Sequence, residues 1–283
     1  MRLHERLAAA REQLVRAGIQ PSEAAIDVEL YARTILKWDR AGLLLHLQSA
    51  VPATLEPQFS DWLARRERFE PSAYIVGERE FWGLDFYVTP AVLVPRPETE
   101  LVVEEAVAIA RAEGQSLRIA DIGTGSGCIA VAVAHDVQRC AVIATDVSSE
   151  ALEVARRNAV RHAVDGRMHF VCTSYIDGSD GRFDVISANP PYVRTVDKRG
   201  LSADVLQEPH VALFGGASGL EHIDAVLTTA SQALRAGGWL VMEFGFGQED
   251  DVRELVSRRP NLFVDRTRAD LQGLARTAII QRR

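Results

Sequence analysis

The tetrapeptide Asn189-Pro190-Pro191-Tyr192 contains the residues with the most specific potential for chemistry. Each proline fixes its own φ, lacks an N–H donor and pushes the residue before it toward extended geometry, so Asn189 and Pro190 are held rigidly. Two acceptors remain available, the Asn189 side-chain oxygen and the Pro190 carbonyl. Together they can hold both hydrogens of a planar NH2 group, which presents two donors in one plane. The tetrapeptide therefore predicts a site that orients an amide or arylamine nitrogen.

A nitrogen oriented in this way can accept a methyl group. Its lone pair is delocalised, and methyl transfer places positive charge on it. Carbonyl dipoles aimed at the hydrogens stabilise that charge, so the site needs no separate general base. Tyr192 can cover the flat face of the substrate by stacking. The alternative is a Pro-Pro turn with a structural role only.

A glycine-rich loop upstream of the tetrapeptide could bind the methyl donor. The loop runs from Asp121 to Gly127 with the sequence Asp-Ile-Gly-Thr-Gly-Ser-Gly. Its glycines let the backbone turn tightly and approach a ligand, and the helix predicted after it offers free N–H groups. Gly125 to Ala130 also fits the looser G-x-G-x-x-A pattern of dinucleotide sites, so the loop alone leaves NAD as a possible ligand.

Two acidic residues favour S-adenosylmethionine over NAD. Asp121, at the start of the loop, would repel a pyrophosphate but attract the α-ammonium of S-adenosylmethionine. Asp146 ends the next predicted strand, 19 residues after Gly127, where a carboxylate can accept hydrogen bonds from both ribose hydroxyls. A methyltransferase is therefore favoured over a dehydrogenase, with an unliganded turn as the structural alternative.

The elements that must position these residues follow an α/β pattern from residue 96 onward, which predicts a doubly wound sheet. The predicted strands are Arg118–Ile122, Cys140–Asp146, Met168–Cys172, Phe183–Ala188 and Trp239–Phe244, with two more after residue 261. The predicted helices lie near residues 100–112, 128–135, 149–163, 219–235 and 249–258. Because ligands bind beyond the carboxyl ends of such strands, we expect the glycine loop and Asn189 to share one crevice.

The first 72 residues predict a separate helical domain. Leu3, Leu7 and Leu14 recur at helical spacing, Pro21 opens a second helical segment, and a third helix is predicted over 59–66. Residues 73–95 are rich in β-branched and aromatic residues interrupted by glycine and proline, which predicts a β-hairpin linker. The predicted organisation is therefore a helical domain over 1–72, a hairpin linker over 73–95 and an α/β domain over 96–283.

Composition excludes several classes of protein. The 283 residues are 47% hydrophobic and 25% charged, unlike disordered or collagen-like chains. No apolar run approaches the roughly 18–20 residues that span a bilayer, and the N-terminus lacks the apolar core of a signal peptide, so we expect a cytoplasmic protein without membrane contact. The net charge of −7 makes direct binding to nucleic acid a poor default.

The three cysteines, Cys128, Cys140 and Cys172, show no C-x-x-C spacing. An odd number of cysteines without such spacing disfavours both a disulfide framework and a structural zinc site. We expect the cysteines to be buried small residues, and we expect no bound metal.

The chain resembles the HemK/PrmC family, bacterial protein-(glutamine-N5) methyltransferases that modify a glutamine of peptide chain release factors. The resemblance covers nearly the whole chain, including the helical N-terminal domain, the glycine loop and the tetrapeptide. Its most specific part is Val94-Pro95-Arg96-Pro97-Glu98-Thr99-Glu100, because amino methyltransferases of DNA share the tetrapeptide. Further matches are Pro71 to Ile75, Gly77, Glu80, Phe81, Glu208-Pro209, Ala212-Leu213, Gly215-Gly216, Glu243 and Gln248.

The resemblance implies a Rossmann-like S-adenosylmethionine-dependent methyltransferase domain with a mostly parallel seven-stranded sheet. It also implies that release factors are the protein partners and that the helical domain grips them. By similarity, the methionine part of the cofactor lies against Gly123, Thr124, Gly125, Ser126 and Gly127. Asp146 would bind the ribose, and Asn189 to Tyr192 would hold the glutamine amide, with Asn189 also beside the cofactor.

The expected adenine site departs from the family pattern. Tyr175 is expected to pack on the adenine, but related sequences carry an acid before this aromatic residue, where Ser174 stands here. Asp177 is a conceivable substitute for that acid. Arg96, Glu98 and Glu100 are expected to line the crevice.

Two alternatives to glutamine methylation stay open. Adenine N6 and cytosine N4 present the same planar NH2 geometry, so the chain could be an amino methyltransferase of DNA or RNA, against which the net charge argues. It could also be a non-catalytic adaptor of a translation factor, slightly favoured by Ser174 but opposed by the intact tetrapeptide. We expect a monomer.

Overall fold

The structure of the protein, a computed structural model, describes residues 1–114, 116–176 and 183–283. The chain divides into two units. The first comprises Met1–Gly77 and Ser202–Gln207, and the second comprises Glu78–Leu201 and Glu208–Arg283. The predicted boundary after residue 72 falls inside a helix, Ser72–Val76, because the helical unit continues to Gly77. The predicted linker is therefore not one element: its first residues are helical, and its hairpin belongs to the second unit.

The first unit is helical, as predicted. Its helices are α1 (Leu3–Arg16), α2 (Pro21–Leu36), α3 (Arg40–Leu45), α4 (Gln58–Arg66) and α5 (Ser72–Val76). Pro21 stands in the first turn of α2, where its missing N–H would have no partner in any case. The Asp39 side chain caps α3 by accepting a 2.7 Å hydrogen bond from the Gly42 N–H. Leu3, Leu7 and Leu14 lie buried in the core of this unit.

The second unit contains the predicted sheet. Its strands are β1 (Glu78–Phe81), β2 (Leu84–Tyr87), β3 (Leu117–Ile122), β4 (Cys140–Asp146), β5 (Met168–Cys172), β6 (Phe183–Ala188), β7 (Leu234–Glu243), β8 (Leu262–Ala269) and β9 (Ala275–Arg282). Its helices are α6 (Glu100–Glu113), α7 (Cys128–Asp136), α8 (Ser149–Arg161), α9 (His210–Leu213), α10 (Glu221–Ala233) and α11 (Glu249–Ser257). Strands β1 and β2 form a separate antiparallel hairpin.

The seven-stranded sheet has the order β5-β4-β3-β6-β7-β9-β8, and its strands are parallel except for β9, which pairs antiparallel with both neighbours. The order reverses between β3 and β6. In the register of that pair, Ile122 lies beside Ala188, so the glycine loop and Asn189 leave the sheet at adjacent positions. Ala188 in turn lies beside Met242 of β7. The topology thus creates a crevice at this switch point, where open α/β sheets bind ligands.

Helices cover both faces of the sheet because its buried strands are apolar on both sides. Ile119, Val185 and Val241 belong to the apolar layer that contains α6 and α7. Their chain neighbours Ile186 and Met242 belong to the layer that contains α10 and α11. The predicted doubly wound, mostly parallel seven-stranded fold is confirmed. Of the helices that the structure describes, none has both the length and the apolar character needed to cross a membrane.

The expectation that all three cysteines are buried is wrong for one of them. Cys128 on α7 and Cys140 on β4 are buried, but Cys172 is exposed. Cys172 is the last residue of β5, which lies at the edge of the sheet and so leaves its end open to solvent. Sequence spacing carried no information about this edge position.

Candidate active site

A cleft opens at the carboxyl ends of β3, β4 and β6. Its lining includes residues that follow all three strands, and it is open to solvent. Most of the predicted site residues line it: Gly123, Thr124, Gly125, Ser126, Asp146, Tyr175, Asn189, Pro190 and Pro191. Asp121, Gly127 and Tyr192 lie outside its lining.

The backbone of the glycine loop explains why glycine occupies its last position. Gly127 is the N-cap of α7. Its φ of +80° is a backbone conformation that residues with a side chain rarely adopt. A Cβ at Gly127 would also lie 3.1 Å from the Ala155 Cβ on α8. Gly127 therefore lets the loop pack against α8, while Gly123 to Ser126 line the cleft.

Asp146 is held in place by two backbone donors. Its Oδ2 accepts a hydrogen bond from the Gly125 N–H at 2.9 Å, and its Oδ1 accepts one from the Ser148 N–H at 2.9 Å. These contacts fix the carboxylate at the end of β4, beside the loop and in the cleft lining. Each carboxylate oxygen keeps a second lone pair, so the group can still accept hydrogen bonds from a diol.

Asp121 is placed differently from the prediction. It is fully buried at the end of β3, where Ser187 Oγ donates to its Oδ1 at 2.7 Å, and it does not line the cleft. Burial raises the pKa of Asp121 to about 6, and the nearby negative charge of Asp146 acts in the same direction. Oδ2 of Asp121 has no hydrogen-bond partner in the described part of the chain. Its predicted contact with the ammonium of the cofactor remains a prediction.

The cleft fits S-adenosylmethionine by the chemistry of its lining. Thr124 lines the cleft, and its buried hydroxyl lies next to the Asp121 carboxyl, whose pKa it lowers against the effect of burial. The helix N-terminus after the loop favours the carboxylate of the methionine part. Asp146 presents acceptors suited to the ribose hydroxyls. The helix N-terminus and Asp146 thus suit the carboxylate and the ribose diol of S-adenosylmethionine.

The expected adenine end contains a residue that sequence reasoning missed. Ser174 and Tyr175 line the cleft as expected, and the Tyr175 hydroxyl lies 3.0 Å from Nδ1 of His222. His222, in the first turn of α10, lines the cleft as well. No motif surrounds it, and only the fold brings it beside Tyr175. Asp177, the conceivable substitute for the missing acid, lies outside the described residues.

Asn189 belongs to a hydrogen-bonded chain that reaches two other elements. Its Nδ2 donates to Thr99 Oγ1 at 3.1 Å, and Thr99 Oγ1 donates to Glu243 Oε2 at 2.6 Å. The Tyr192 hydroxyl donates to the other carboxylate oxygen, Glu243 Oε1, at 3.1 Å. Neither Asn189 Oδ1 nor the Pro190 carbonyl accepts a hydrogen bond from the residues that the structure describes. Both acceptors are therefore available to a substrate.

The backbone of the tetrapeptide is clamped on its far side. The Gln248 side-chain amide donates to the Tyr192 carbonyl at 3.2 Å and to the Gly219 carbonyl at 3.3 Å. A Cβ at Gly219 would lie 2.4 Å from the Tyr192 carbonyl oxygen, so only glycine allows this close approach. The prediction that Tyr192 stacks over the substrate remains a prediction, because its ring lies outside the cleft lining.

The segment before α6 is fixed by a buried acid. Glu208 accepts a hydrogen bond from the Val94 N–H at 2.9 Å and pairs with Arg96, which lines the cleft. The expectation that Glu98 and Glu100 also line it is wrong, since neither belongs to the lining. Glu100 instead accepts a 2.8 Å hydrogen bond from the Trp82 N–H in the turn of the hairpin.

Comparison with protein families assigns both units. Residues 5–77 match the family described as "PrmC N-terminal domain", and residues 99–217 match "Methyltransferase small domain". These regions contain most of the helical unit and most of the residues that line the cleft.

Proteins named release factor glutamine methyltransferase are similar to the chain over most of its length. The one from Bradyrhizobium diazoefficiens is 40% identical over 261 residues, covering 91% of this chain and 88% of that protein. The one from Nitratidesulfovibrio vulgaris is 42% identical over 277 residues, covering 96% and 92%. The similarity therefore extends through both units and the cleft.

Solved structures agree on the fold. A methyltransferase from Pyrococcus furiosus superposes with a TM-score of 0.52 at 24% identity, covering 79% of this chain and 98% of that chain. The human Mettl16 catalytic domain in complex with an RNA hairpin gives 0.58 at 16% identity, covering 80% and 91%. At these identities the likeness concerns the fold alone.

The fold, the cleft and the relatives lead to one conclusion about the class of enzyme. The chain is a methyltransferase, and S-adenosylmethionine is its methyl donor. It belongs to the release factor glutamine methyltransferase family.

Proposed function

We propose that the protein methylates the side-chain nitrogen N5 of a glutamine in a peptide chain release factor. The two free acceptors of the tetrapeptide support this substrate, because a glutamine carboxamide offers two N–H donors in one plane. The names of the relatives supply the release factor. The reaction takes place in the cytoplasm. It involves no direct contact with nucleic acid, because a net charge of −7 disfavours binding to the phosphate backbone.

The chain's contribution to the reaction is orientation and electrostatics. The glycine loop, Thr124 and Asp146 would hold S-adenosylmethionine, which would supply a methyl group bonded to a positively charged sulfur. Asn189 Oδ1 and the Pro190 carbonyl accept the two amide hydrogens and thereby aim the nitrogen lone pair. As the N–C bond forms, the bond between the methyl carbon and sulfur breaks and S-adenosylhomocysteine leaves; the positive charge passes to the nitrogen, where the two acceptor dipoles stabilise it. The nitrogen then loses one proton to water.

The observation that carries the proposal is the juxtaposition of the loop and the tetrapeptide. Ile122 and Ala188 are paired in the register of β3 and β6, so Gly123 and Asn189 begin side by side at the switch point. Both line the same cleft. The methyl donor and the amide acceptor are thus predicted to meet at this position.

The test is direct transfer of label to a release factor. The protein is mixed with unmodified release factor and S-adenosylmethionine labelled in the methyl group, and the label is mapped by mass spectrometry. We expect label on one glutamine, and Asn189→Ala lowers kcat by about 10²–10³ because one orienting acceptor is lost. Binding of S-adenosylhomocysteine, measured by calorimetry, should persist in this variant.

Asn261→Ala is the matched control. Asn261 stands just before the start of β8. Because β8 runs parallel to β7, this start lies at the amino ends of the parallel strands, and the cleft lies at their carboxyl ends. The control variant should keep wild-type turnover. Absence of label on any glutamine, or unchanged turnover in Asn189→Ala, would contradict the proposal.

A further inference from the structure

The acceptors that orient a substrate amide work only if Asn189 presents its oxygen and not its NH2 group. The two ends of an asparagine side chain have nearly the same shape but opposite hydrogen-bonding roles. Rotation by 180° would place an NH2 group against the NH2 group of the substrate. Some feature of the protein must therefore select one orientation.

Glu243 supplies that selection through Thr99. Both residues are buried, with 1% and 2% of their surfaces exposed. Above pH 6 the Glu243 carboxyl is ionised and accepts hydrogen bonds only, so the single hydroxyl proton of Thr99 must point to Glu243 Oε2, 2.6 Å away. Thr99 Oγ1 then has only lone pairs left for Asn189, and the Asn189 NH2 group must face it. The Asn189 oxygen is left as the atom that can serve the cleft.

The strand register explains how three distant segments meet. Asn189 and Glu243 follow Ala188 and Met242, which are paired between β6 and β7. Thr99 stands at the start of α6. The segment before it is held by Glu208, which accepts a hydrogen bond from the Val94 N–H. The same Glu243 carboxylate also accepts the Tyr192 hydroxyl, so it restrains both ends of the tetrapeptide.

We propose that Thr99 and Glu243 are positioning residues, which set the direction of the hydrogen bonds and lock the Asn189 carboxamide with its oxygen toward the substrate. This inference rests on the proposed role of Asn189 in holding the glutamine amide. It predicts that the Thr99 hydroxyl contributes to turnover only through Asn189 and makes no contribution to cofactor binding.

The test compares Thr99→Val with Thr99→Ser in the release factor assay. Valine keeps the shape of threonine but removes the hydroxyl, so nothing distinguishes the two ends of Asn189. We expect kcat to fall about 10- to 100-fold, as expected for a misplaced reacting group, and S-adenosylhomocysteine affinity to stay unchanged. Serine restores the hydroxyl and should recover most of the lost turnover. Thr99→Ala is the second variant and carries the same expectation if the valine variant does not fold.

A double-mutant cycle separates positioning from a general structural role. If Thr99 acts through Asn189, then the variant carrying both Asn189→Ala and Thr99→Val turns over no more slowly than Asn189→Ala alone. Thr228→Val is the matched control, since the exposed Thr228 hydroxyl donates to the Asp224 carbonyl at 2.9 Å within α10, away from this network. This control should keep wild-type turnover.

The outcomes distinguish this inference from the proposed function. Wild-type turnover in Thr99→Val, together with loss in Asn189→Ala, overturns the inference and leaves the proposed function intact. Equal losses in the serine and valine variants, or losses that add fully in the cycle, also overturn it. Wild-type turnover in Asn189→Ala contradicts the proposed function itself.

Discussion

Glu243 concentrates several roles in one buried carboxyl group. It accepts hydrogen bonds from Thr99 and Tyr192, and its side chain is almost entirely withdrawn from water. Burial raises the pKa of Glu243 to about 6, a shift that the charge of Glu98 increases and that Arg276 and the two hydrogen bonds oppose. The two hydrogen bonds orient the Glu243 carboxyl group, and its removal from water makes the ionised form less favourable.

This raised pKa predicts a dependence of stability on pH. The folded protein binds the proton more tightly than the unfolded chain, whose pKa is near 4.5, so the group favours the folded state below pH 4.5 and this contribution is lost as the pH rises through 6. The difference amounts to about 2 kcal/mol in the free energy of unfolding. Glu243→Gln should remove it, so the wild-type protein loses about 2 kcal/mol relative to the variant between pH 4 and pH 7.

Urea denaturation of both proteins at several pH values measures this difference. Asp121 remains in both chains, so its own titration cancels in the comparison. A constant difference between the two proteins over this pH range would show that Glu243 titrates normally.

At the scale of elements, the β4 terminus and the glycine loop act as one unit. Asp146 at the end of β4 accepts the Gly125 N–H, and the Thr124 N–H donates to the Thr145 carbonyl at 2.8 Å. The loop is thereby fixed before any ligand binds, which reduces the entropy lost on binding. The same carboxylate is the group expected to hold the ribose.

We therefore expect Asp146→Ala to weaken cofactor binding much more than turnover. Loss of hydrogen bonds to a charged group costs about 1.5–3 kcal/mol, which corresponds to a 10- to 100-fold weaker Kd for S-adenosylhomocysteine. Calorimetry measures the Kd, and kcat at saturating methyl donor should remain within about tenfold of the wild type. Asp165→Ala, which changes an exposed aspartate, is the control and should bind normally. A lower kcat with an unchanged Kd would refute the assignment.

At the scale of the whole molecule, the two units are stabilised by different means. The second unit has a sheet covered on both faces by apolar helices. The first unit has a smaller apolar core, which also contains a buried ion pair between Arg66 Nε and Asp27 Oδ2 at 2.7 Å. Ser72 donates to the other oxygen of Asp27 at 2.6 Å, and Asp204 lies 3.6 Å from Arg66.

Removing one partner of this pair leaves a buried charge without compensation. Arg66→Ala should lower the free energy of unfolding of the first unit by about 3–5 kcal/mol. Arg16→Ala, which removes an exposed pair with Glu12 at 3.7 Å, is the control and should cost less than about 1 kcal/mol. Hydrogen exchange of residues 1–77 in increasing urea localises the effect. Equal protection in the two variants would mean that the buried pair adds nothing.

Local sequence patterns were sufficient for much of the fold. The strands Cys140–Asp146, Met168–Cys172 and Phe183–Ala188 have the predicted bounds, because runs of apolar and β-branched residues bounded by turns specify a buried strand without reference to the rest of the chain. Strand β7 begins at Leu234 and not at the predicted Trp239, because tertiary pairing with β6 extends it through two glycines. The glycine loop, Asp146 and the tetrapeptide could be identified for the same local reason.

Contacts between distant segments were decided only by folding. Thr99 and Glu243 are 144 residues apart, and nothing near either residue indicates that they share a hydrogen bond. The packing of α10 places His222 beside Tyr175. Asp121 lies outside the cleft lining because it belongs to the buried end of β3. Periodicity reports which face of an element is apolar, whereas the partner of a polar side chain depends on strand order and register. Those depend on the packing of the whole sheet, so the hydrogen bonds around Asn189 appear only in the tertiary structure.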